Sequence, residues 1–171
     1  MSVTSAARPK IADYPFTTLH PNLGVVGIGS KEIVVADIPG LIEGAHEGVG
    51  LGTRFLGHVE RTSALLHLVD ATDEDVVKNY NIIRNELISY GGGLAEKPEL
   101  IALSKCDALE EEEIRKKKEL LSKETGQEVW AFSSVSKDGL YDVLYEALKY
   151  VEQSRIADES EEMEEKGRWQ P

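Results

Sequence analysis

ELIALSKCD, residues 99–107, sets four consecutive apolar residues ahead of Ser104, Lys105, Cys106 and Asp107. A continuous apolar run this short reads as a strand buried on both faces, and such strands belong to parallel sheets. Ligands on open α/β sheets gather at the carboxyl ends of the strands. The lysine and the acid therefore stand where this fold class does its chemistry.

The pattern repeats on either side. Upstream, ALLHLVD at 64–70 is a second short apolar strand ending in an acid. The helix after it carries Val76, Tyr80, Ile83, Leu87 and Tyr90 at spacings of four, three, four and three, a single apolar stripe. Thr72 with Asp75 suggests a capping box at its start, and the glycines at 91–93 stop it. Downstream, a helix over 110–125, a strand over 129–132 and a helix over 140–154 continue the alternation. Strands 23–28 and 32–37 flank Gly29 and Ser30, which predicts an antiparallel hairpin. Residues 41–52, with glycines at 44, 48, 50 and 52, read as a loop, and 51–61 as a helix. The expected fold is α/β with a mostly parallel sheet.

Composition bounds the function. At 171 residues with 41% apolar content, the chain has enough material for one core. Its net charge of -12 argues against an autonomous DNA or RNA binder, which would show a basic footprint. Six acids in 158–165, set against Lys166 and Arg168, supply about a third of that charge. Residues 156–171 lack periodicity and are expected to form an acidic, unstructured tail, separate from a domain over 1–155. The single cysteine excludes an internal disulfide and fits a cytoplasmic home. No apolar run reaches the ~18 residues of a membrane span. The four histidines show no metal-ligand spacing, and glycines 48, 50 and 52 do not join a strand to a helix as a dinucleotide loop requires.

Four segments carry chemistry. Asp37, Ile38, Pro39 and Gly40 close an apolar run with a carboxylate suited to magnesium and a glycine whose N–H can approach a phosphate closely. Taken alone, this tetrad is equally a strand-ending turn. Ser104, Lys105, Cys106 and Asp107 resemble the N-K-x-D guanine-reading element of GTPases, which implies that Asp107 accepts both the N1–H and the exocyclic amine of guanine while the Lys105 stem covers the base. Adenine offers no such pair of donors. Ser133, Ser134 and Val135 follow the next strand as a turn of small residues, through which backbone can approach a base edge. Phe16, Thr17, Thr18, Leu19 and His20 precede the hairpin, either as an extended edge segment or as a switch loop.

In that order the four segments resemble the Obg family of GTPases, specifically the G domain. The most specific stretches are PKIADYPFTTLHPNLGVV at 9–26 and VVADIPGLIEGAHEGVGLGTRFLGHVERT at 34–62. The resemblance implies a three-layer, P-loop NTPase-like fold and a cytoplasmic enzyme converting GTP to GDP and phosphate. It also implies binding to the large ribosomal subunit, with roles in its assembly and in stress signalling. Thr18 and Asp37 would hold Mg2+, and Thr18 and Gly40 would sense the γ-phosphate. Ser104, Lys105, Cys106, Asp107, Ser133, Ser134 and Val135 would surround guanine.

Three departures qualify the expectation. Ser104 stands where the family has asparagine. Leu41 occupies the position of a water-orienting glutamine, which implies slow hydrolysis. No G-x-x-x-x-G-K-[ST] loop occurs in the sequence, and the resemblance places Met1 inside the helix that follows that loop. The first strand, expected at the centre of the sheet between 32–37 and 64–70, is missing with it. The chain is accordingly expected to be a fragment of marginal stability that binds GTP weakly. The alternative is a non-catalytic interaction module that keeps the fold.

Overall fold

A computed structural model describes residues 23–37 and 62–168. Strands β1 (Leu23–Ile28) and β2 (Lys31–Ala36) form the expected hairpin, paired antiparallel from Leu23 with Ala36 to Ile28 with Lys31. Gly29 turns it at a φ of 63°, a conformation a glycine-first two-residue turn requires. Alternation of side chains buries Val26, Ile28 and Ile33 on one face and leaves the directly paired Val25 and Val34 exposed on the other.

The second sheet contains β3 (Leu65–Asp70), β4 (Glu99–Ser104) and β5 (Val129–Ala131), all parallel in the order β3-β4-β5. The helices are α1 (Val76–Tyr90), α2 (Glu111–Thr125) and α3 (Leu140–Arg168). Burial of Leu100, Ile101, Ala102 and Leu103 confirms the reading of β4 as a strand covered on both sides.

Two apolar clusters explain the layering. On one face Leu100, Ala102 and Phe132 meet Val143, Leu144 and Leu148 of α3, together with Val26, Ile28 and Ile33 of the hairpin. On the other, Val69, Ile101, Leu103 and Val129 meet Val76 and Tyr80 of α1 and Leu121 of α2. The hairpin thus reaches the rest of the fold through side chains, since among the described residues no ladder joins β2 to β3.

Two local expectations are corrected. Helix α1 is capped by Asp75, whose carboxylate accepts from the Lys78 N–H, while the Thr72 hydroxyl turns back to Asp70. A residue at the helix boundary wins over one three positions earlier because only its carboxylate reaches the free first-turn amides. Helix α3 runs to Arg168, beyond the expected end at 154 and into the acidic 156–171. Missing periodicity removes a packing face but not helix propensity. A run rich in glutamate extends a nucleated helix without repeating the cost of the first turn.

Candidate functional site

Parallel register brings three strand ends together. Asp70 closes β3, Ser104 closes β4 opposite it, and Ser133 follows β5. Backbone bonds lock the edge: Phe132 N–H donates to Leu103 O at 2.9 Å, Cys106 N–H to Phe132 O at 3.3 Å, and Ala71 N–H to Ser104 O at 2.9 Å. The segments 104–107 and 133–136, separated in sequence, become one surface.

Ser133 is the centre of that surface. Its hydroxyl donates to Asp107 Oδ1 at 2.5 Å and accepts from the amides of Val135 and Ser136, each at 3.0 Å. One donor and two acceptor sites are all that a serine hydroxyl has, so a group only 2% exposed is fully satisfied. Among the described residues Asp107 Oδ2 has no partner, and the residue is exposed. The result is a carboxylate fixed through one oxygen with the other free for a ligand.

The loop around it needs a glycine. Gly139 adopts a φ of 66°, and a Cβ there would lie 2.1 Å from Ala131 O. Ser133 N–H donates to Asp138 O at 2.9 Å, and Lys137 N–H returns to Ser133 O at 3.0 Å. The turn closes tightly on β5 only without a side chain at 139.

Lys105 holds a φ of 58°, left-handed for a residue with a side chain. Its ammonium donates to Asp70 Oδ2, while Asp70 Oδ1 accepts from the Thr72 amide at 2.9 Å and hydroxyl at 2.7 Å. The Lys105 bond, reinforced by Thr72, outweighs the opposing effect of burial and lowers the Asp70 carboxyl to about 2; the same pair raises the Lys105 ammonium. Ser104 turns its hydroxyl to Val69 O at 3.2 Å, back into the sheet. Cys106 is half-buried with its thiol against Leu103 O at 3.5 Å, and burial pushes that thiol up.

Ser134 is half-buried and Val135 exposed beside this surface. Asp37 is an exposed residue just past β2, an oxygen donor of the hard type magnesium prefers. Phe16 to His20, Ile38, Pro39, Gly40 and Leu41 lie outside the described residues. Asp70 and Gly139 were not singled out from sequence. Asp70 was visible only as the acid ending a strand, and Gly139 as a glycine before a helix.

A parallel sheet with helices on one face, a helix and hairpin on the other, and a lysine–aspartate loop braced by a serine turn at its carboxyl edge defines a G domain of the P-loop NTPase-like class. Residues 1–105 match the family model described as 50S ribosome-binding GTPase, and the chain belongs to that family. Among solved structures it is similar to nucleolar GTP-binding protein 1 from Plasmodium falciparum, at 15% identity and a TM-score of 0.50 over 84% of this chain and 76% of that one. At that identity the likeness concerns the fold alone.

Proposed function

We propose that this chain is part of the G domain of an Obg-type GTPase, which reads guanine with Asp107 and Lys105 and converts GTP to GDP and phosphate in the cytoplasm during large ribosomal subunit assembly and stress signalling, and that the chain by itself binds nucleotide weakly. The bond from Ser133 to Asp107 carries the reading. It orients the carboxylate so that Oδ2 is free for one guanine N–H, while Oδ1 keeps a second lone pair, beyond the Ser133 bond, for the other. Lys105 lies beside it with an aliphatic stem suited to cover a base. Ser104, Cys106, Ser134 and Val135 complete the surroundings.

Mg2+ would be held by Thr18 and Asp37, where it would neutralise phosphate charge. Ile38, Pro39 and Gly40, with Phe16, Thr17, Leu19 and His20, would flank the phosphates. Leu41 offers no group to orient water, so unassisted turnover would be slow. No helix among the described residues is long and apolar enough to cross a membrane. The acidic balance favours a ribosomal contact made through a local patch rather than through the whole surface.

Nuclear magnetic resonance titration of the 171-residue chain with GDP and with ADP, both at millimolar concentration, tests base recognition. A guanine preference of about tenfold or more is expected. Asp107→Asn should shift that preference toward xanthine, whose 2-oxo group accepts from the new amide. Equal response to GDP and ADP would overturn the reading. A chain that keeps the fold only as an interaction module, without catalysis, would give no nucleotide response at either loop.

A further inference from the structure

Asp70 lies 35 residues before Lys105, yet parallel pairing sets it opposite Ser104, next to the start of the lysine–aspartate loop. Both of its oxygens are engaged, and by different partners. Oδ1 takes the amide and hydroxyl of Thr72, and Oδ2 takes the Lys105 ammonium. The carboxylate is thus oriented by its own turn before it meets the lysine.

Lys105 needs such a restraint. Its side chain is 63% exposed, and a free lysine carries about 2 kcal/mol of rotamer entropy. Its left-handed backbone costs an L-residue about 1–2 kcal/mol. The neighbouring Ser104 cannot tether the loop to the serine turn, because its hydroxyl is spent on Val69 O. Ser133 braces Asp107 from one side of the loop, and nothing from that side reaches Lys105 among the described contacts.

We propose that Asp70 is a positioning residue for base recognition: it anchors the Lys105 ammonium at the end of β3, so that the lysine stem is laid beside Asp107 before a base arrives. The role rests on the reading of 104–107 as a guanine loop. It adds β3 to the strand ends responsible for the recognition geometry: the segments after β4 and β5 supply the groups around the base, and β3 supplies the anchor. With its carboxyl lowered to about 2, Asp70 is ionised throughout the neutral range, so the anchor is permanent and not a proton switch.

A double-mutant cycle on the 171-residue chain tests it, with GDP and ADP titrated into wild type, Asp70→Asn, Lys105→Ala and the double variant. Asp70→Asn should weaken GDP binding by about threefold to fivefold, the scale of one exposed ion pair. The loss should vanish in the Lys105→Ala background and be largely rescued by Asp70→Glu. Thermal unfolding of each variant identifies any that fail to fold, and Asp70→Glu keeps the test decisive should Asp70→Asn be one of them. An unchanged GDP affinity in Asp70→Asn, a loss that persists undiminished without Lys105, or a folded Asp70→Glu no better than Asp70→Asn would overturn the anchor while leaving guanine recognition standing. A wild-type chain without guanine preference would overturn both.

Discussion

The Ser133 hydroxyl sits 2.5 Å from Asp107 Oδ1 while two amides of its own turn donate to it, so a single buried oxygen ties the turn after β5 to the loop after β4. Removing it takes a partner from three polar groups at once. Ser133→Ala should destabilise the chain by about 0.5–1.5 kcal/mol, the net worth of a lost hydrogen bond, because Asp107, Val135 and Ser136 are exposed and water can replace the hydroxyl. It should also weaken GDP binding more than ADP binding. Chemical denaturation paired with nucleotide titration checks both, and an unaltered guanine preference would separate Ser133 from base recognition.

Two glycines with similar φ angles should respond differently to alanine. At Gly126, φ 68°, a Cβ meets nothing within 4 Å, so Gly126→Ala should cost only the backbone penalty of about 1–2 kcal/mol. At Gly139, φ 66°, the same Cβ strikes Ala131 O and the turn must move. Gly139→Ala should cost more than Gly126→Ala, by about 1–3 kcal/mol as in other overpacked sites. Urea midpoints of the two variants measure the difference, and equal midpoints would mean that the turn yields freely.

Acid should loosen the α1 side of the sheet through Glu99. This buried carboxylate lies 2.8 Å from His67 Nδ1, accepts from the Tyr80 hydroxyl at 3.0 Å and faces Arg84 at 3.7 Å. Burial is the largest single influence and acts upward, but the bonds from His67 and Tyr80 with the charges of His67 and Arg84 outweigh it and lower the carboxyl. A lowered acid contributes fully above its ordinary value of 4.5 and loses that contribution as pH falls through the folded value. Stability measured between pH 6 and 3, on the order of the range where glutamate titrates, should fall less steeply in Glu99→Gln, which starts about 1–3 kcal/mol lower at neutral pH.

Alkali should act through Tyr80. Burial, followed by the charge of Glu99 and the hydrogen bond to it, pushes the phenol up from 10.0 to about 12. The folded state therefore favours the neutral phenol. Its contribution is complete below pH 10 and is lost as the pH climbs toward 12. Tyr80→Phe should remove this part of the alkaline decline, with circular dichroism melts as the measurement. An identical decline in Tyr80→Phe would assign it to other groups.

Most of the scaffold was legible because single strands and helices announce themselves locally. Uninterrupted apolar residues at 100–103, too short a run for a helix of their own, read as a strand covered twice, and the glycines from 91 stop α1 as their backbone freedom suggests. The loops at 104–107 and 133–135 were legible because each follows a strand end. What escaped depends on register. His67 and Glu99 look like isolated polar residues, and Tyr80 like one more member of an apolar stripe, until β3, β4 and α1 are packed, when they become one hydrogen-bonded group with stacked His67 and Tyr80 rings 4.7 Å apart. Asp70 likewise gains its partner only from the parallel alignment of β3 with β4.

The hairpin is held to α3 and β4 by Val26, Ile28 and Ile33, with the Lys31 ammonium paired to Glu152 at its turn. Ladder hydrogen bonds fix strand register, whereas the hairpin is positioned by interdigitated aliphatic side chains. The strand leading to Asp37 is therefore placed by core packing rather than by a ladder to the parallel sheet. The strands leading to Asp70 and Asp107 are instead laced together by a parallel ladder, so these two acids share one rigid reference that Asp37 does not.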